Sequence, residues 1–163
     1  LEQGKMSKRY FNTIDPEKIC DQYGADTLRC YEMFLGPIEE HKPWNTNGIS
    51  GVNNFLKKTW KLVKGFNSAK PTEKELKILH KTIKKTTEDI ESLSLNTAIS
   101  TFMIAVNELS SQKCNSKVVL SDLLILIAPY APHITEELWN LIGNETSISF
   151  ADFTPFMSLI LVV

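Results

Sequence analysis

The sequence is poor in cysteine and in long apolar runs. Its three cysteines, Cys20, Cys30 and Cys114, form no C-x-x-C pair, so neither a disulfide framework nor a metal site is expected, and a reducing compartment fits. The longest apolar stretch lies around 123–128, far short of the roughly 18 residues that a membrane span needs. Polar and basic residues open the chain, unlike a secretory signal. We therefore expect a cytoplasmic protein without a membrane partner.

Glycine and proline are missing from the middle of the chain. The 57 residues from 72 to 128 contain neither, although tight turns between strands favour both. Apolar side chains recur in this region at steps of three and four residues, which places them on one helical stripe. The stripe consists of Leu95, Ala98, Ile99, Phe102, Met103, Val106 and Leu109. Residues 118–127 are apolar nearly all round, which is typical of a helix buried on most sides.

Local signals predict helices on both sides of this region. Asp15 followed by Pro16 is typical of a helix start, and Gly24 is typical of a helix end. Signals of the same kind predict further helices at 26–35, 48–64 and 133–142. A chain of such helices excludes a fold built on a large sheet.

The sequence as a whole predicts an all-α fold. We expect an antiparallel bundle of four or five helices at 48–145, because short connections favour antiparallel neighbours. A helix-and-loop extension at 1–47 precedes the bundle, and 146–163 follows as the start of a C-terminal region. Strand-like composition predicts extended chain at 147–150 and 159–163.

The charge is balanced overall but unevenly placed. The formal net charge is −1, yet residues 57–85 hold ten lysines and only two acidic residues. On helical wheels these lysines form two rows, each beside the apolar stripe of its helix. The first lysine row is Lys57, Lys61 and Lys64, and the second lysine row is Lys74, Lys77, Lys81 and Lys84. If the two helices pack as neighbours, the rows merge into one surface for phosphates; an ordinary solvated helix face is the alternative.

Arginine is scarce, and this affects which part of a nucleic acid the lysine-rich surface is expected to contact. Arg9 and Arg29 are the two present, so contact with a phosphate backbone is favoured over bidentate readout of base edges. Trp60 lies on the apolar stripe of its helix and is predicted to be core, with stacking on a nucleotide as the alternative. His133 stands at a helix start and is predicted to be structural.

A short basic motif, K-M-S-K-R, lies near the start of the chain at residues 5–9. Two lysines three positions apart can meet the phosphates of a nucleotide as point charges. The motif resembles the K-M-S-K-S loop of class I aminoacyl-tRNA synthetases. The segments Y-G-A-D-T-L-R at 23–29 and A-P-H-I-T-E-E-L-W at 131–139 are similar to later segments of the leucine, isoleucine and valine enzymes. The segment K-P-W-N-T-N-G-I at 42–49 resembles the leucyl-tRNA synthetase family in particular.

The resemblance implies a role for each part of the chain. The bundle would be an anticodon-binding domain that holds tRNA(Leu) through the two lysine rows. The ATP-closing loop would be Lys5, Met6, Ser7, Lys8 and Arg9, with Lys8 and Lys5 as the catalytic cations during activation of leucine by ATP with Mg²⁺. Arg9 stands where the family has Ser and adds a planar set of donors. The parent protein would be a leucine–tRNA ligase, a monomeric enzyme of protein biosynthesis.

The sequence also lacks parts that the family needs for catalysis. The H-I-G-H motif is absent, as are a parallel-sheet pattern and an editing domain. The resemblance therefore implies a fragment that is inactive alone and binds no cofactor, with ATP and leucine held by the missing catalytic domain. The apolar tail after 153 would be the cut start of a further module, or a plug against the bundle. One other interpretation stays open, a free-standing helical module that binds RNA or an acidic protein through its lysine-rich face.

Overall fold

Seven α-helices make up most of the computed structural model, which describes residues 6–153. Their bounds are α1 Pro16–Tyr23, α2 Ala25–Phe34, α3 Ile49–Lys64, α4 Glu73–Glu91, α5 Leu95–Ser111, α6 Lys117–Ile127 and α7 Pro132–Leu141. Short 3-10 helices lie at Lys8–Tyr10, Thr46–Gly48 and Ile148–Phe150. The part of the chain that the structure describes contains no β-strand. The prediction of an all-α helix bundle is confirmed.

The first two helices begin and end where the sequence signals stand. The Asp15 side chain accepts a hydrogen bond from the Glu17 backbone N–H at 3.1 Å, which caps the start of α1. Gly24 ends α1 with a φ of +89°, a conformation that costs glycine little and that other residues rarely adopt. Its backbone N–H donates to the Cys20 carbonyl at 2.8 Å. The chain turns sharply at this glycine, so α2 starts at the next residue.

Helix α5 lies at the centre of the core. It packs against α2, α3 and α4, and the predicted stripe residues Ala98, Ile99, Phe102, Val106 and Leu109 are all fully buried or nearly so. The predicted apolar stripe is therefore the surface of α5 that faces the core, and three other helices pack around this helix. Helix α6 is buried along most of its length but has only 11 residues. Among residues 6–153, none of the helices combines the length and apolar character needed to cross a bilayer.

Helices α3 and α4 both pack on α5 but are not major packing partners of each other, which is the condition for their lysine rows to merge. Helix α3 packs against α2, α5 and α7, whereas α4 packs against α5 and α6. The segment that joins α3 to α4 is bonded to another part of the chain. The Asn67 N–H donates to the Asn115 carbonyl at 2.7 Å, and the Lys117 N–H donates to the Asn67 carbonyl at 3.0 Å. These hydrogen bonds hold Asn67, which lies between α3 and α4, against the start of α6.

The prediction of extended chain at 147–150 is wrong, because this segment forms a 3-10 turn at Ile148–Phe150. Ile148 is buried, and the Glu136 carboxylate on α7 accepts hydrogen bonds from the Ser147 hydroxyl at 2.9 Å and from the Ile148 N–H at 3.1 Å. A single acceptor for two successive donors favours a turn over a strand. The predicted strand at 159–163 lies outside the described residues.

Candidate nucleic-acid interface

The first lysine row lies on the exposed side of α3. Lys57, Lys61 and Lys64 all face solvent, and none of the three forms an ion pair with another described residue. Their neighbour Lys58 differs, since its ammonium donates to the Asn107 amide oxygen on α5 at 3.0 Å. The row thus presents three positive charges that no acidic side chain of the described part neutralises at close range. Such a row suits the regularly spaced phosphates of a nucleic acid.

The second lysine row on α4 has a different setting. The Lys77 ammonium lies 2.9 Å from the Glu73 carboxylate, one turn earlier on the same helix. Lys74, Lys81 and Lys84 are exposed. Helix α4 packs mainly on α5 and α6, so the two rows lie on helices that are not major packing partners. The expectation of one merged surface is therefore not supported.

A cavity of about 430 Å³ opens where α3 meets the α1–α2 junction and the start of α7. Leu56, Trp60 and Ile134 provide an apolar lining. Lys57 and His133 stand at the same cavity and bring polar groups to it. Trp60 is half-buried, so the prediction that it is simply core holds only for part of its ring. One lysine of the first row therefore borders this cavity, whose lining includes no lysine of the second row.

The Asp26 carboxylate fixes one wall of this cavity. It is 9% exposed and accepts hydrogen bonds from the backbone N–H groups of His133 at 3.3 Å and Ile134 at 2.7 Å. It also lies 2.7 Å from His133 Nδ1, which donates to it because a carboxylate only accepts. Helix α7 has no side-chain cap of its own, so Asp26 on α2 caps it from another helix. A negative charge at a helix N-terminus is favourable.

Asn53 links three of the helices at this cavity. Its side-chain amide donates to the Tyr23 carbonyl at 3.0 Å and to the Thr27 hydroxyl at 3.2 Å. These bonds join α3 to the end of α1 and the start of α2. The cavity is consequently bounded by three elements that are cross-linked through buried or half-buried polar groups.

Comparison with known families identifies the bundle. The family model described as the anticodon-binding domain of tRNA ligase matches residues 74–159, more than half of the chain. This chain belongs to the anticodon-binding domain family of tRNA ligases. The matched range begins at the second residue of α4 and includes α5 to α7, and the first lysine row lies before it.

Curated relatives extend the similarity of this anticodon-binding chain to its whole length. It is 57% identical to the leucine–tRNA ligase of Christiangramia forsetii over 99% of the chain, and 59% identical to that of Flavobacterium johnsoniae over 95%. In both cases it spans 17% of the length of the relative. A crystal structure of a ternary LeuRS–tRNA–LeuAMS complex from Agrobacterium radiobacter superposes with a TM-score of 0.81. That match covers 98% of this chain and 23% of the other at 24% identity, so it shows the shared fold.

The loop before the anticodon-binding bundle is described from Met6 onward, and Lys5 lies outside the described residues. The Ser7 hydroxyl accepts from the Arg9 N–H at 3.3 Å, and the Ser7 N–H donates to the Asn12 side chain at 2.8 Å. The Lys8 and Arg9 side chains are exposed. Hydrogen bonds within the loop therefore fix its backbone conformation, and the Lys8 and Arg9 side chains are exposed to solvent. Their predicted roles at ATP stay predictions.

Sequence reasoning named Lys57, Trp60 and His133 at the cavity but missed Asp26 and Asn53, whose hydrogen bonds shape it. Asp26 and His133 are 107 positions apart, and nothing in a single sequence pairs an acid with a histidine at that separation. Both belong to segments that carried the family resemblance, which was the one available signal. The prediction that His133 is structural agrees with its bonds to Asp26, although its side chain is 73% exposed.

Proposed function

We propose that this chain is the tRNA-binding part of a leucine–tRNA ligase, which activates leucine with ATP and transfers it to tRNA(Leu). The observation that carries the proposal is the 57% identity to a leucine–tRNA ligase over 99% of the chain. The proposal includes ATP with Mg²⁺, leucine and tRNA(Leu) as partners, and a monomeric, cytoplasmic enzyme. A free-standing binding module is not favoured, because the similarity runs through the loop before the bundle as well as the bundle.

The lysine rows support binding to the RNA backbone. Lysine ammonium groups act as point charges toward phosphate oxygens. Their binding releases counterions from the RNA, and this release becomes less favourable as the salt concentration rises, so the affinity falls. The first lysine row has no acidic partner among the described residues, so its full charge is available to a polyanion. Recognition of this kind holds the shape of the RNA and does not depend on the anticodon bases.

The loop at 5–9 supports a role in leucine activation. Formation of leucyl-adenylate and pyrophosphate develops negative charge on the phosphates of ATP, and a fixed cation at that place lowers the barrier. Lys8 and Arg9 are exposed cations on a loop whose backbone is held by Ser7 and Asn12. These groups fit a polyphosphate. Residues 6–153 contain no cluster of three or more acidic, histidine or cysteine side chains that could hold a metal ion.

The first test of this proposal is kinetic. In the full-length ligase, Lys8→Ala is expected to lower leucine-dependent ATP–pyrophosphate exchange by roughly a hundred-fold or more, the scale seen when one charge-stabilising group is removed from an active site. The KM for leucine should change little, because Lys8 is proposed to act on phosphate. Lys18→Ala on α1, another exposed lysine, is the matched control and should retain the wild-type rate. A normal exchange rate in the Lys8 variant would remove this residue from the mechanism.

A genomic observation tests the wider assignment. The coding sequence upstream of this chain should encode an H-I-G-H motif within a nucleotide-binding fold. A start codon close to residue 1 with no such fold upstream would overturn the ligase assignment and favour the free-standing module.

A further inference from the structure

We propose that a buried water molecule joins helix α4 to the turn between α6 and α7, bound by the Thr86 hydroxyl, the Asp89 carboxylate and the Tyr130 hydroxyl. These three residues belong to neither lysine row, and none of them borders the cavity at Trp60. The inference does not depend on the proposed ligase function, because it follows from the hydrogen bonding of the core. It assigns a binding site to a part of the molecule that the proposed function leaves unused.

Three buried polar atoms in this part of the core have no hydrogen-bond partner among residues 6–153. They are Thr86 Oγ1, Asp89 Oδ2 and Tyr130 Oη. Their residues are 0%, 2% and 7% exposed, respectively. A polar group that is buried without a partner is costly, and nearly all such groups in folded proteins are bonded to protein or to ordered water. These atoms therefore indicate a polar ligand inside the core.

Thr86 differs from six other helical threonines in where its hydroxyl points. A threonine within a helix often donates its hydroxyl hydrogen to the carbonyl four residues earlier. The six that do so are Thr27, Thr59, Thr82, Thr87, Thr101 and Thr135. No carbonyl of the described chain accepts from the Thr86 hydroxyl, so its hydrogen is available to a ligand.

The three groups lie in one neighbourhood. Thr86 and Asp89 are three positions apart on α4, so they share a face of the helix. Ile90, the next residue, borders a second cavity of about 390 Å³ together with Tyr130, which places Tyr130 beside the last turns of α4. Burial and then the charge of Asp89 raise the pKa of Tyr130 to about 12, so the phenol remains a donor at neutral pH. Tyr130 is therefore near Asp89 but outside direct hydrogen-bond reach.

Water matches the hydrogen-bonding needs of these groups. Its two lone pairs accept from the Thr86 and Tyr130 hydroxyls, and one of its hydrogens is donated to Asp89 Oδ2. About three such bonds are typical of a buried water. A cation fits less well, because the Lys85 ammonium already lies 2.6 Å from Asp89 Oδ1 and balances the charge of the carboxylate. The site therefore calls for a neutral ligand.

A crystal structure of the 163-residue chain, at a resolution that shows ordered solvent, tests the site directly. We expect one solvent peak at about 2.7 to 3.0 Å from Thr86 Oγ1, Asp89 Oδ2 and Tyr130 Oη. The same peak should be absent from the crystal structure of Tyr130→Phe. Direct hydrogen bonds among the three side chains, with no solvent between them, would overturn the inference.

A double-mutant cycle measured by urea unfolding gives a second readout. Thr86→Val and Tyr130→Phe should each raise the unfolding equilibrium constant about five-fold, the effect of one ordinary hydrogen bond. If both hydroxyls bind the same water, the double variant should lose about five-fold to ten-fold, less than the product of about 25-fold that independent sites give. A loss equal to that product would contradict a shared water.

The matched control for this cycle pairs Tyr130→Phe with Thr82→Val. Thr82 is a buried threonine one turn earlier on α4, and its hydroxyl already donates to the Ile78 carbonyl at 2.8 Å. The two losses in this control should multiply, because the two hydroxyls share no ligand. The same reduced loss in the control as in the Thr86 cycle would count against the inference, since general softening of the core would then explain both.

Discussion

Helices α3 and α4 carry similar lysine rows in sequence but place them in different surroundings. The row on α3 leads to a cavity that is bordered by an aromatic ring and by the start of α7. The row on α4 lies on a helix that packs on α5 and α6 and contains its own acidic partner, Glu73. Periodicity alone therefore identifies which side of a helix carries charge, whereas the function of that side depends on what the rest of the chain brings next to it.

The two helices nevertheless share one support, and removing it should affect both. Phe102 on α5 is fully buried and packs edge-on against Tyr130 with ring centroids 5.3 Å apart. Phe102→Ala should lower the free energy of unfolding by about 3 to 5 kcal/mol, because a cavity remains in a close-packed core. Urea unfolding followed by circular dichroism measures this change, and Ile104→Ala at an exposed position of α5 is the control. A loss below about 1 kcal/mol, or separate transitions, would show that α3 and α4 do not depend on a common core.

The functional difference between the rows can be tested by reversing their charge. We expect Lys57, Lys61 and Lys64 changed together to Glu to weaken tRNA(Leu) binding by at least about ten-fold, since three backbone contacts become repulsive. The matched variant, with Lys74, Lys81 and Lys84 changed to Glu, should weaken binding less, because Glu73 already pairs with Lys77 and reduces the positive potential of that row. Both sets are exposed, so helical content should be preserved. Equal losses in the two variants would show that the rows act as one electrostatic surface.

Much of the fold follows from local signals, but the site does not. Asp15, Pro16 and Gly24 fix the ends of α1 through capping and backbone geometry, which depend on neighbouring residues alone. The apolar stripe of α5 likewise marks its own buried face. The pairing of Asp26 with His133 depends on where α2 and α7 meet, 107 residues apart. The strand prediction at 147–150 failed for the same reason, because the Glu136 carboxylate from α7 overrides a weak local preference.

The smallest expected effect concerns how α4 begins. Thr72 and Glu75 form a capping box, in which the Glu75 N–H donates to the Thr72 hydroxyl at 3.3 Å and the Thr72 N–H donates to the Glu75 carboxylate at 2.7 Å. Helix α3 has no side-chain cap at its start. Thr72→Ala should therefore lower the free energy of unfolding by about 1 kcal/mol, while tRNA binding, which we assign mainly to α3, stays unchanged. Thr72→Ser keeps the hydroxyl and should restore most of the loss.

The pH dependence of this effect identifies its origin. Burial raises the pKa of the Glu75 carboxyl, but hydrogen bonds from Thr72 and Cys114 outweigh burial and hold this pKa below its ordinary value. A carboxyl with a lowered folded-state pKa stabilises the protein above its unfolded pKa of about 4.3 and loses that contribution as the pH falls through the folded value. The difference between wild type and Thr72→Ala should therefore be largest near neutral pH and shrink on acidification. A difference that is constant with pH would mean that the Thr72 hydroxyl caps α4 without help from the Glu75 charge.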